Sequence, residues 1–134
     1  MQYSIKASSI SNSNASVKIK NSGIAFGITS QTEELLPNPA ELFLGSFSAC
    51  ILKNVERFSH FMKFTYSKAE LVVHATRLEK PPRMDELQYE LRIYSSDDAI
   101  NIDLLKKNIE KFGTIFNTVK ASCSVEGEVI IISE

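Results

Sequence analysis

The stretch N-P-A-E-L-F-L-G-S-F-S-A-C-I-L-K-N, Asn38 to Asn54, decides how the chain is read. Pro39 suits the first turn of a helix, where a missing N–H costs nothing. From Ala40 to about Met62 the spacing predicts one long helix, and Gly45 marks a place where it can kink. At roughly 100° per residue, Phe43, Phe47, Cys50, Ile51, Val55, Phe58, Phe61 and Met62 fall within an arc of roughly 140°. Only Asn54 interrupts that arc. Lys53, Glu56, Arg57, Ser59, His60 and Lys63 lie on the other side. This is the pattern of a core helix with a broad apolar face, one suited to burial against a sheet and a second subunit. Cys50 stands at the edge of the arc. Phe43, Phe47 and Asn54 flank it on one side; Ser46, Lys53 and Arg57 flank it on the other. Two readings stay open. A free cysteine on an apolar face is ordinarily a small hydrophobe. With an ammonium one turn away, as Lys53 is, it can also be a working thiol.

Outward from the helix, the first third reads as β. Q-Y-S-I-K-A-S alternates, with Tyr3 and Ile5 on one face. S-V-K-I-K-N-S-G-I-A-F-G-I is a hairpin candidate with Asn21-Ser22-Gly23 as its turn. After the helix, A-E-L-V-V-H-A-T-R-L-E and L-Q-Y-E-L-R-I-Y-S-S are strands, joined by the proline-rich K-P-P-R-M-D-E. D-D-A-I-N-I-D-L-L-K-K-N-I-E-K-F-G predicts a second helix, with Asp97 or Asp98 as N-cap and Gly113 as its C-terminal stop. E-G-E-V-I-I-I-S-E is a last strand, apolar enough to be central. The order β-β-β, long α, β-β, α, β is that of an α+β domain. No linker or repeat divides residues 1–134, so one domain is expected.

Composition narrows the function. In 134 residues with 23% charged side chains and a net charge of −1, the lysines are scattered among acids, which argues against a nucleic-acid partner. The N-terminal residues have no apolar signal-peptide core, and no run approaches the ~18 apolar residues of a membrane span. The cytoplasm is the expected compartment. Two cysteines, Cys50 and Cys123, are too few for a secreted disulfide framework. His60 and His74 have no ligand spacing, so neither a metal nor a cofactor is expected. The S-F-S of residues 46–48 has no G-x-S-x-G around it. Glu41 and Glu56 read as solvated helix charges, and Cys123 as a buried small residue ahead of the last strand.

The Asn38–Asn54 stretch resembles the OsmC/Ohr superfamily of osmotically induced and organic-hydroperoxide-resistance proteins. Members carry Asn/Ser-Pro-x-Glu, an apolar run rich in small residues, and a Cys at the distance seen here. F-M-K-F-T-Y-S-K-A-E-L-V-V-H-A-T-R-L-E-K and K-F-G-T-I-F-N-T-V-K-A-S-C-S-V-E-G-E-V resemble the family's following segments. The resemblance covers nearly everything from about Ile24 onward. It implies antiparallel sheets packed on a long central helix, in an intertwined homodimer with sites at the interface. It also implies a thiol peroxidase. A reactive Cys attacks a hydroperoxide, becomes a sulfenic acid and releases an alcohol. The nucleophile maps to Cys50. The family's second Cys maps to Gly113 and the Pro after it to Thr114. The Glu of the peroxidase branch maps to Ala40; Glu41, one position on, matches another branch and joins Cys50 as a candidate catalytic residue. The family's N-terminal Arg has no counterpart before Arg57, with Lys18 or Lys20 as the available charges. The implied reaction is therefore one in which an external thiol replaces the missing resolving Cys. The alternative is a non-catalytic dimer that binds a small apolar molecule between Phe43, Phe47 and Phe58.

Overall fold

The computed structural model describes residues 1–134. The chain divides into two compact units, Met1–Phe43 and Leu44–Glu134. Three strands form the first: β1 (Lys6–Ser9), β2 (Asn14–Ile19) and β3 (Ser22–Gly27), antiparallel in the order β1-β2-β3. The expected first strand is shorter than the alternation suggested, because Tyr3 and Ile5 precede it and stay exposed. The β2–β3 turn is Lys20-Asn21, with Ile19 paired to Ser22 and Lys20 in the left-handed region at φ 53°. It therefore falls ahead of Asn21-Ser22-Gly23; Ser22 and Gly23 are already strand, and Gly23 needs no positive φ. Register puts Ala15, Val17 and Ile19 beside Phe26 and Ile24 on one face. Of residues 1–43 only Ala15 and Gly27 are buried. A short 3-10 turn, Thr32–Glu34, follows, tied by the Thr29 and Thr32 hydroxyls 2.9 Å apart.

Helix α1 (Pro39–Phe61) begins in the first unit and continues into the second. Its start is a reciprocal capping box: Glu41 N–H donates to Asn38 Oδ1 at 2.9 Å, and Asn38 N–H donates to Glu41 Oε1 at 3.0 Å. Phe47, Ile51, Asn54, Val55, Phe58 and Ser59 are its buried residues. Phe61, at the end of the predicted arc, is 70% exposed. By length and composition the helical stretch Thr32–Phe61, which includes α1, is apolar enough to cross a membrane, a test that core helices also pass.

The second unit continues with β4 (Lys68–Glu79), β5 (Pro82–Ser95), α2 (Ile102–Phe112), α3 (Thr114–Lys120) and β6 (Val125–Ser133). Only Lys80-Pro81 joins β4 to β5, because Pro82 opens the strand, a position where its missing N–H is tolerated. A bulge sets Ala75 opposite Glu86 and Leu87, with Glu86 at φ 53°. β6 pairs with β5 in parallel, so this sheet is mixed rather than antiparallel. The reason is connectivity: α2 and α3 form the crossover that parallel strands require. The sheet order is β4-β5-β6, so β6 is an edge and β5 the central strand, contrary to its apolar composition. Leu87, Tyr89, Leu91, Ile93 and Ser95 form the buried row of β5 at period two. The N-cap of α2 is Asn101, whose Oδ1 accepts from Leu104 N–H at 3.0 Å. Asp97 turns instead to the N–H groups of Ala99 and Thr65. Gly113 ends α2 in extended backbone and at once begins α3, a helix that sequence periodicity did not anticipate.

Candidate functional site

Cys50 lies on the face of α1 that carries the core of the second unit. Phe47, one turn earlier, is wholly buried. Its ring stacks on Phe116 of α3 at 5.3 Å and meets Tyr89 of β5 edge-on at 6.3 Å. Tyr89 and Phe116 are themselves edge-to-face at 6.2 Å, so three elements lock through three rings. The Tyr89 hydroxyl donates to Glu110 Oε2 at 2.6 Å, and Lys106 Nζ reaches the same oxygen at 3.0 Å. Burial, with the Glu110 carboxylate accepting its hydrogen bond, pushes the Tyr89 hydroxyl up. This network fixes α2 over β5. Gly127 makes it possible: it faces Tyr89 across the β5–β6 pair, and a Cβ there would occupy the space of the Tyr89 ring.

Cys50 itself is half-buried and free. Gly113, buried at the α2–α3 junction, stands against it: a Cβ at Gly113 would lie 3.0 Å from Cys50 Sγ. Gly113, the position to which the resemblance assigns the family's second Cys, is thus the position that stands beside Cys50. Cys123 is engaged elsewhere, donating to the Met84 carbonyl at 3.3 Å. Both cysteines are thiols. Lys53 is exposed on the outer side of α1. Arg57 has turned away from the thiol to lie over the rings of Phe58 and Phe61, at 5.3 and 5.6 Å.

Phe58 is buried, with its ring 5.7 Å from that of Phe112. Phe43 is half-buried and belongs to the first unit, as does Glu41 in its capping box. A cleft of about 370 Å³ opens in the second unit between Phe61, Met62, Phe64, Asp97, Ile100 and Leu104. None of the anticipated site residues lines it.

Asn54, one turn after Cys50, is the polar residue that broke the predicted arc. It is 6% exposed. Taking an amide out of water without a partner costs roughly 1–3 kcal/mol. Its signal in the sequence was that single break. The Tyr89–Glu110 bond had none, since 21 residues separate its partners.

Among solved structures, an OsmC like protein from Mycoplasma pneumoniae superposes with a TM-score of 0.87 at 16% identity, covering 98% of each chain. An organic hydroperoxide resistance protein OsmC from Legionella pneumophila gives 0.69 at 14% identity, covering 97% of this chain and 98% of that one. A putative organic hydroperoxide resistance protein from Vibrio cholerae, with captopril bound in one of its active sites, gives 0.67 at 16% identity, covering 96% and 92%. No protein with a curated description matches. The sequence model for the OsmC-like protein family matches residues 31–128, a span that holds α1, Cys50 and Gly113. The chain therefore belongs to the OsmC-like proteins of the OsmC/Ohr superfamily.

Proposed function

We propose that this protein is a stress-related redox protein that reduces organic hydroperoxides with Cys50 as the nucleophile and an external thiol as reductant. The observation that carries this reading is the apposition of Cys50 Sγ and Gly113. The thiol stands at the family position, and no side chain crowds it from residue 113. In the reaction the Cys50 thiolate attacks the distal peroxide oxygen. The O–O bond breaks, an S–O bond forms, and the alkoxide leaves and takes up a proton as the alcohol. Sulfur is oxidised by two electrons to the sulfenic acid. One external thiol condenses with it, releasing water and forming a mixed disulfide. A second thiol attacks that disulfide and frees Cys50.

Glu41 is the second candidate catalytic residue carried over by resemblance. Glu41→Gln can keep the capping box with Asn38, so any loss of rate in that variant measures its charge. The homodimer is supported by the apolar face of the first sheet, where Ile19 and Ile24 remain 36% and 38% exposed in the single chain. The binding-protein alternative draws on the ligand in the Vibrio cholerae structure. The burial of Phe47 and Phe58 favours packing beneath the thiol over a preformed pocket. The cytoplasm is the compartment that suits a free-thiol chemistry.

The test is consumption of cumene hydroperoxide with dithiothreitol as reductant. Wild type and Cys123→Ser are expected to consume it at the same rate, and Cys50→Ser to consume none beyond the uncatalysed reaction. Equal, slow loss with wild type and Cys50→Ser would overturn the reading.

A further inference from the structure

Three polar residues are buried in this protein: Asn54, Ser59 and Ser95. Two are satisfied by the backbone. Ser59 Oγ donates to the Glu56 carbonyl at 2.6 Å and Ser95 Oγ to the Thr65 carbonyl at 2.5 Å. Asn54 makes no side-chain hydrogen bond within the protein. Yet no side-chain nitrogen or oxygen is sealed off without a partner, so the polar atoms of the Asn54 amide keep some access to solvent. Helical side chains tilt toward the N-terminus and cover the preceding turn. The preceding turn on this face carries Cys50. At i and i+4 the two Cβ atoms are about 5–6 Å apart. One oxygen bonded to, or approaching, the sulfur spans that gap to an amide N–H. The glycine at 113 leaves the sulfur free of a side chain there.

We infer that the Asn54 amide is the oxygen-binding group of the site. Its N–H donates to the peroxide oxygen as the Cys50 thiolate attacks and then to the sulfenate oxygen that results. The inference rests on the hydroperoxide reading of Cys50. It gives the site a neutral donor in place of the guanidinium that the chain lacks before Arg57. A donor that stabilises charge gathering on oxygen acts on the attack itself and leaves substitutions at sulfur with no such oxygen untouched.

The experiment compares wild type with Asn54→Leu, which keeps the branched shape but replaces the amide with methyl groups, and Asn54→Ser, which keeps a shorter donor. Two rates are measured for each: sulfenic acid formation with cumene hydroperoxide, and Cys50 alkylation by iodoacetamide in a Cys123→Ser background. Asn54→Leu is expected to slow the peroxide reaction roughly ten- to a hundred-fold, the worth of one hydrogen bond to a charged oxygen, with alkylation unchanged. Asn54→Ser is expected to fall between the two, and gives the same reading should Asn54→Leu fail to fold. Peroxide rates equal to wild type overturn the role of Asn54 and leave Cys50 as the peroxide-reactive thiol. Alkylation falling in step with the peroxide rate also overturns it, since Asn54 then only shapes access to the thiol. A wild type that forms no sulfenic acid removes both readings.

Discussion

A side chain at position 113 would begin within bonding reach of the Cys50 sulfur. In a disulfide each Cβ sits about 3 Å from the opposite sulfur, as follows from an S–S bond of about 2.05 Å. The corresponding separation here is 3.0 Å. Gly113→Cys is therefore expected to close a bridge to Cys50 under mild oxidation, with Phe116 yielding slightly, since its Cβ would be 2.8 Å away. The backbone poses no obstacle, because φ is −81°. Thiol titration after diamide treatment checks this: two of the variant's three thiols should vanish, and a count of three would refute it. Cys50 and Asn54 were both legible in the sequence, one as a thiol on a helix edge and the other as a break in an apolar arc. Their relation to Gly113 was legible only through resemblance, because 63 positions separate residues 50 and 113 and periodicity carries no long-range contact. The Tyr89–Glu110–Lys106 set lies between a strand and a helix and left no pattern at all.

At the scale of elements, α1 and the β4–β5 pair were legible because each has a long, uninterrupted period. Helix α3 was not. It spans seven residues, Thr114–Lys120, too few to establish a period, and Thr114, Ile115, Thr118 and Val119 are β-branched. Tertiary packing decides it instead, through Phe116 and Val119, both buried. The edge place of β6 was hidden for another reason: an apolar run reports burial, and strand order comes from the crossover. Gly127→Ala is expected to lower stability by about 1–3 kcal/mol, because the added methyl competes with the Tyr89 ring for one volume. Asn101→Ala should cost about 1 kcal/mol through loss of the α2 cap. Urea unfolding midpoints read both; a Gly127→Ala midpoint equal to wild type would mean that the ring moves freely.

Across the whole molecule, stability in acid depends on how the parts of the second unit are tied. Asp85, at the β5 bulge, accepts from Ser124 N–H and Glu86 N–H, both at 2.8 Å, and from Arg83 Nη1 at 2.9 Å. The Ser124 bond first, then those of Glu86 and Arg83, hold its carboxyl down at about 2. A depressed carboxyl stabilises the fold above its unfolded pKa, near 3.8, and that contribution is lost as pH falls toward about 2. The melting temperature should fall across that window, and Asp85→Asn should flatten this part of the profile while lowering stability at neutral pH. Identical acid profiles for the two proteins would remove Asp85 from the account. The proposed homodimer has its own readout: sedimentation at the mass of two chains, with Ile24→Lys driving the protein toward one. The junction at Gly113 also bears on synthesis. Cys50 leaves the ribosome 63 residues before Gly113 and still further ahead of Phe116. At about 5–20 residues per second the thiol is without its native cover for roughly 3–13 s. Throughout that interval the growing chain presents Cys50 without the α2–α3 junction that stands against it in the folded protein.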